Sequence, residues 1–359
     1  MGRRLTTTVL ALSVAACASI GPSTVPQDRI DYATSIGDSW KQQTLLNIVK
    51  LRYGDVPIFL EVAQVVAGYQ LQSTIGGTFT AGNFTVGVIG PFTASGSATA
   101  SGTYTDRPTV IYQPLTGVDF LTRLMTPIPP SSVLFLLQSG YDADRVMPIM
   151  LDSINGIYNE STWLRRPADP KFVRLVQLMR EVQLGGGLQI RIEHPKGGPE
   201  SSVLIFGTSK DPQIAAKSQE IRNLLRLKPD LKQVPIYYGG YSAKNNEIDM
   251  MTRSMLLIMF EFAAVVQVPE SDAAQGMVAP GLVDTQAGQP LSGRTMRILT
   301  GTAPPKHAYV AVQYDSRWFW ISDTDIQSKT TFEVVILLFS IADTGVKGSA
   351  PVVTIPTNQ

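Results

Sequence analysis

Residues 62 to 105 contain no Asp, Glu, Lys or Arg. Within this run TASGSATASGTYT alternates strictly. Thr93, Ser95, Ser97, Thr99, Ser101, Thr103 and Thr105 hold one parity; Ala94, Gly96, Ala98, Ala100, Gly102 and Tyr104 hold the other. Successive side chains of a strand point to opposite faces, so a period of two reads as β-strand. Thr78 to Ile89 reads as a less regular partner strand, and Gly90-Pro91 as the turn between them. The expectation is a long Gly/Ser/Thr-rich β-hairpin over residues 76–106. Three environments suit it: pairing with neighbouring subunits, a flexible loop, or insertion in a membrane as two strands of a multi-subunit barrel. Uncharged strands longer than the roughly 9–11 residues needed to cross a bilayer favour the last. The small Ala and Gly of its apolar parity argue against it.

The chain has one cysteine, Cys17, near its start. Arg3 and Arg4 precede an uncharged apolar run from Leu5 to Ala16, too short for a permanent span. Val14-Ala15-Ala16-Cys17 then resembles the lipobox of bacterial lipoproteins: an aliphatic residue, two small residues and cysteine. The resemblance covers roughly the first 20 residues. It implies cleavage before Cys17, a diacylglyceryl group on its thiol and an acylated new N-terminus. At about 0.8 kcal/mol per buried methylene, several acyl chains make a near-permanent anchor. Ala18 stands where an Asp would retain a lipoprotein at the inner membrane, so the same resemblance implies the outer membrane, facing the periplasm. Ser19 to Gln27, small, polar and proline-bearing, reads as a tether.

Charged residues are 16% of the chain and the formal net charge is +1, which becomes −1 once Arg3 and Arg4 are removed. A near-neutral body gives no support for nucleic-acid binding. So few charges imply an apolar surface, explained by an oligomer or a membrane. With no cysteine after Cys17, no disulfide can form in an oxidising compartment, and packing must supply the stability.

Periodicity predicts helices over 31–51 (Ser35 as N-cap), 58–69, 117–125, 132–138, 144–158, 170–184, 212–227, 247–268 and 325–342. Short strands are predicted over 110–112, 188–194, 203–206, 234–238, 294–299, 308–314 and 317–321, the last two joined by Asp315-Ser316. WLRRPADP (163–170) reads as a linker. The expected fold class is α+β, amphipathic helices with short antiparallel sheets and the long hairpin. The chain divides into a signal peptide (1–16), a lipidated tether (17–30), a mainly helical domain (31–165) carrying the hairpin, an α+β domain (166–345) and a tail (346–359).

Motifs for chemistry are scarce. His194 and His307 are the only histidines, and neither the His-x-x-x-His nor the Cys-x-x-Cys spacing of a metal site occurs. No Gly-x-Ser-x-Gly elbow meets a helix, and no Walker loop is present. Gly185 to Gly187 read as a helix stop. Asp323 and Asp325 suit a helix start, where the dipole attracts acids, better than a cation. Trp318 and Trp320 share one strand face and suit packing better than a ligand grip. The remaining candidates for a buried functional carboxylate are Glu261 and Glu333, each on an apolar helix. The alternative for both is an exposed helix edge, or pairing with Arg253 or Lys329. No cofactor, metal or catalytic set is expected.

Together these readings imply an outer-membrane lipoprotein in a structural or assembly role, in self-association or with other envelope proteins, as in a secretion or transport complex. The alternatives are a monomeric periplasmic ligand-binding module and a periplasmic hydrolase of envelope polymers. Cys17→Ser should abolish incorporation of radiolabelled palmitate and move the protein out of the membrane fraction; equal label in both forms would refute the anchor.

Overall fold

The computed structural model describes residues 25–66, 69–80, 95–106, 109–193, 201–207, 211–241, 244–278 and 296–342. In chain order the first elements are α1 (Val25–Arg52), β1 (Phe59–Val66), β2 (Tyr69–Thr80), β3 (Ser95–Asp106) and β4 (Thr109–Leu115). Next come α2 (Val118–Met125), α3 (Pro130–Gln138), α4 (Ala143–Met150), β5 (Leu151–Ile154), β6 (Ile157–Tyr158), α5 (Pro170–Leu184), β7 (Leu188–Glu193) and β8 (Ser201–Phe206). The rest are α6 (Pro212–Leu224), β9 (Gln233–Tyr238), β10 (Ile248–Thr252), α7 (Met255–Ala263), α8 (Glu270–Ala274), β11 (Leu299–Gly301), β12 (Ala308–Tyr314), β13 (Arg317–Ser322) and α9 (Ile326–Ala342). The fold is α+β.

Phe59–Leu115 forms a compact unit of its own; the chain on either side of it forms the other. Among the described residues the larger unit, the body, holds two sheets. One has the order β6-β5-β10-β9-β8-β7, antiparallel except for the β9–β10 pair. α3 lies against β7 to β10, α4 packs on α5, and α5 on α6. The other sheet, β11-β13-β12, is antiparallel throughout, and α9 packs on β13. α1 lies against β12 and α7, burying Leu45, Ile48 and Val49 with Phe319 and Phe332 among the core residues.

Asn47 and Asn155 are among the side chains that complete the backbone pairing of the body. Asn47, 1% exposed, donates to the Ile58 carbonyl at 2.8 Å and accepts its N–H at 2.9 Å. It pins the last residue before β1. Asn155 accepts the Asp249 N–H at 2.7 Å and donates to the Leu225 carbonyl at 2.9 Å, while its own N–H donates to the Asp249 carbonyl. A buried amide left unpaired costs roughly 1–3 kcal/mol, so each asparagine stabilises what its neighbours alone leave open.

Several sequence expectations are corrected. Where a helix over 58–69 is expected, Phe59–Val66 is the strand β1, paired with β4, and Val62, Val65 and Val66 suit a strand, where their branching is accommodated. The expected helix 144–158 stops at Met150. Asn155 (φ 45°) and Gly156 (φ 76°) form the two-residue turn of the β5–β6 hairpin, a left-handed pair that matches strand twist. The expected helix 247–268 is β10, alternately buried, followed by α7, whose cap Ser254 accepts the Leu257 N–H. α1 begins at Val25, so residues 25–30 of the expected tether are helical, and Ser35 lies inside the helix. Thr34 returns its hydroxyl to the Ile30 carbonyl instead of starting a helix there. WLRRPADP is no domain boundary, because β5 and β6 share a sheet with β7 to β10; Asp169 caps α5. Residues 1–24 and 343–359, including the expected signal peptide, Cys17 and tail, lie outside the described residues, as does Gly90-Pro91.

Asn155→Ala should lower stability by roughly 2–4 kcal/mol in urea unfolding, from lost hydrogen bonds plus left-handed strain, and Asn155→Gly by about 1 kcal/mol less. Equal losses would refute the backbone share.

Candidate functional site

The densest buried polar cluster among the described residues surrounds Glu261 of α7, which is 4% exposed. Ser161 donates its hydroxyl to one carboxylate oxygen at 2.5 Å, and the Thr162 N–H donates to the other at 2.7 Å. Ser161 Oγ also accepts the Leu164 N–H, and a bridge between Ser161 and Arg166 closes the loop. Upstream, Asn159 donates to the Pro148 and Leu151 carbonyls. Arg253 donates to the carbonyls of Pro148 and Glu160. Arg166 pairs with Asp152 and lies over the Tyr158 ring. The segment 159–162 is thus held from both sides by the side chains of Arg253, just before α7, and Glu261, within it.

This arrangement clamps backbone. Ser161 is 1% exposed and Thr162 4%, so a substrate has no open face of the carboxylate to reach. Among the described residues no histidine is placed beside Ser161, and no group of three His, Cys, Asp or Glu is arranged to hold a metal ion. The two expected carboxylates are not brought together in kind. Glu261 is buried and accepts a hydrogen bond at each carboxylate oxygen, whereas Glu333 is exposed and accepts from the Tyr309 hydroxyl at 3.5 Å. Expecting Glu333 to be buried is therefore corrected: on α9 it falls between buried Phe332 and Val334 on the helix's solvent side.

Other singled-out residues have local partners. Asp325 accepts from the Ser328 N–H and hydroxyl and from Arg297, which outweigh burial and hold its carboxyl below the usual range. Asp323 pairs with Lys329 at 2.8 Å. Gly186 (φ 67°) turns the chain after α5; a side-chain carbon on Gly185 would lie 2.4 Å from Ile214. Phe319 and Ile321 are buried while Trp318 and Trp320 are half-buried on the opposite face. His307 is exposed and His194 lies outside the described residues.

Sequence reading missed a tyrosine cluster. The Tyr53 hydroxyl donates to Asp272 at 2.9 Å, Arg317 approaches the same carboxylate at 3.3 Å, and Tyr314 donates to Asp55 at 2.5 Å. Burial, then Asp55, pushes the Tyr314 hydroxyl up to about 12; burial, then Asp272, raises Tyr53 as well. Both stay protonated donors at neutral pH. No pattern could reveal the set, since Tyr53 and Asp272 meet only through folding. A cleft of about 610 Å³ lies beside the edge strand β7, lined by Leu137, Met179, Arg180, Gln183 and Ile190. Arg180 is held by Asp142 at 2.6 Å, and Gln183 bonds the carbonyls of Leu137 and Tyr141.

The ribbon offers a surface of a different kind. β2 pairs with β3 over twelve positions, from Tyr69↔Asp106 to Thr80↔Ser95. Directly paired residues share a face of an antiparallel ladder. Gln70, Gln72, Thr74, Gly76, Thr78 and Thr80 are paired with Ser or Thr at every position. Tyr69, Leu71, Ser73, Ile75, Gly77 and Phe79 are paired with Ala, Gly or Tyr104, and with Asp106 at the base. The ladder of β1 and β4 ends at Val66↔Thr109, three residues before Tyr69 and three after Asp106, so beyond its register shift at Val62/Gln64 it is in register with the ladder of β2 and β3. Near the base Leu60, Val110, Ile111 and Tyr112 are exposed, and so are Val118, Leu121 and Met125 along one stripe of α2.

Glu261→Ala should destabilise the fold by roughly 3–5 kcal/mol and Glu261→Gln by about 1–3, since glutamine keeps one acceptor; equal unfolding midpoints to wild type would refute the clamp. Compared with known protein families, with curated proteins and with solved structures, the chain matches none.

Proposed function

We propose that this chain is a lipid-anchored component of the cell envelope, tethered at the outer membrane through Cys17, which assembles with copies of itself through the ribbon Phe59–Leu115. Its role is structural, as a building block of an envelope complex such as one for secretion or transport. The observation that carries the reading is the ribbon's pairing. Each of its strands is bonded along one edge only among the described residues, since its two ladders are two-stranded sheets. A two-stranded hairpin is marginal alone in water, and its open edges are templates for further strands. Natural edges are usually blunted by charge or proline; residues 62–105 hold no charge, and Pro91 is their only proline. The exposed apolar stripe of α2, just after the ribbon in the chain, adds surface of the sort that interfaces cover. The enclosed Glu261 cluster supports a scaffold role rather than a hydrolytic one.

The cleft beside β7 favours a second reading, a ligand-binding module. One experiment separates the two. Residues 69–106 are replaced by a short Gly-Ser link in the full lipidated chain, and native mass is measured by light scattering in mild detergent. The assembly reading expects multi-chain particles from wild type and single chains from the variant. Particles of unchanged size would refute it, and a wild type that is already monomeric would favour the module.

A further inference from the structure

We propose that ribbons from several copies close into a β-barrel that crosses a lipid bilayer, with the Tyr69, Leu71, Ile75, Phe79 parity against hydrocarbon and the threonine parity lining a water-filled lumen. This rests on the self-assembly read above and names what the assembled ribbons face.

The register carries the argument. An open sheet edge cannot stand in hydrocarbon, where every N–H and C=O needs a partner; closure between copies supplies it, β3 of one ribbon beside β2 of the next. Each copy then adds two antiparallel strands, so the barrel has the even strand number such barrels share. β2 and β3 are each 12 residues long, against the roughly 9–11 that a tilted strand needs to cross. Across those positions the only charge is Asp106, at the base, where it marks the water boundary. Residues 81–94, between β2 and β3 in the chain, carry no charge either.

Aromatic placement gives a second measure. On the apolar parity, large aromatics stand at the two ends: Tyr69 and Tyr104 near the base, Phe79 near the far end. Ten residues separate Tyr69 from Phe79, roughly 33 Å along a strand; tilted by about 40° this spans about 25 Å, the height of the apolar band between aromatic girdles. Between them stand Leu71, Ile75 and small residues. The opposite parity is wholly Gln, Thr, Ser and Gly, a polar wall without charge. In a soluble ribbon nothing would require eleven consecutive pairs, from Gln70↔Thr105 to Thr80↔Ser95, to sort this way without a charge.

Single cysteines test it: Leu71→Cys, Gln72→Cys, Thr74→Cys, Ile75→Cys, Ala98→Cys and Thr99→Cys in the full lipidated protein, each coupled to an environment-sensitive fluorophore, with wild type setting the background. The proteins are reconstituted in phosphatidylethanolamine–phosphatidylglycerol vesicles, and their assembly state is measured by light scattering beforehand. Nitroxide-bearing lipids should quench positions 71, 75 and 98 several-fold more than 72, 74 and 99, and aqueous iodide should show the reverse. If assembled particles are quenched by iodide at both parities alike, or by lipid at both alike, the barrel is overturned while self-assembly stands. Protein that never assembles overturns both.

Discussion

Every peptide N–H and C=O taken out of water must find a partner, and this requirement shapes both units of the molecule. In the body, sheet and helix ladders meet most of it, and polar side chains complete the rest. Asn47 pairs both backbone groups of Ile58, Asn155 extends the central sheet onto Asp249 and reaches Leu225, and Asn159 joins the end of α4 to β5. Glu261 does the same for Thr162. Those of Asn155 and Glu261 join residues far apart in the chain, so they also set where one element stands relative to another.

The ribbon meets the requirement only halfway. Among the described residues β2 and β3 are bonded to each other alone, and residues 62–105 carry no charge to discourage a further strand. The enclosed polar cluster of the body, by contrast, holds the backbone of residues 159–162 through Arg253 and Glu261.

Much of the fold was legible before folding was considered. Helices such as Pro170–Leu184 and Ile326–Ala342 show apolar spacing with a cap or proline at their start, and the Asp315-Ser316 hairpin shows its turn residues. What was misread has a common cause. Residues 58–69, 151–158 and 248–252 are short apolar stretches whose local preference is ambiguous, and distant partners decided them: β4 for β1, β10 for β5, and β9 for β10. Asn155-Gly156 was a turn signal open to reading, overlooked inside an apolar run. The unlike fates of Glu261 and Glu333 were not readable, since both lie on apolar helices and only the neighbour at residues 161–162 distinguishes them.

The alternation of residues 93–105 and the absence of charge over 62–105 were settled by the chain alone, because a period of two and an uncharged composition are local properties that any partner must accept. Which residues oppose them was decided by tertiary structure: Tyr69–Thr80 pairs with Ser95–Asp106, where Thr78 to Ile89 was the expected partner. The pairs Gln64↔Ile111 to Val66↔Thr109 stand in that same register, and shifting a strand by one residue would mix the two faces.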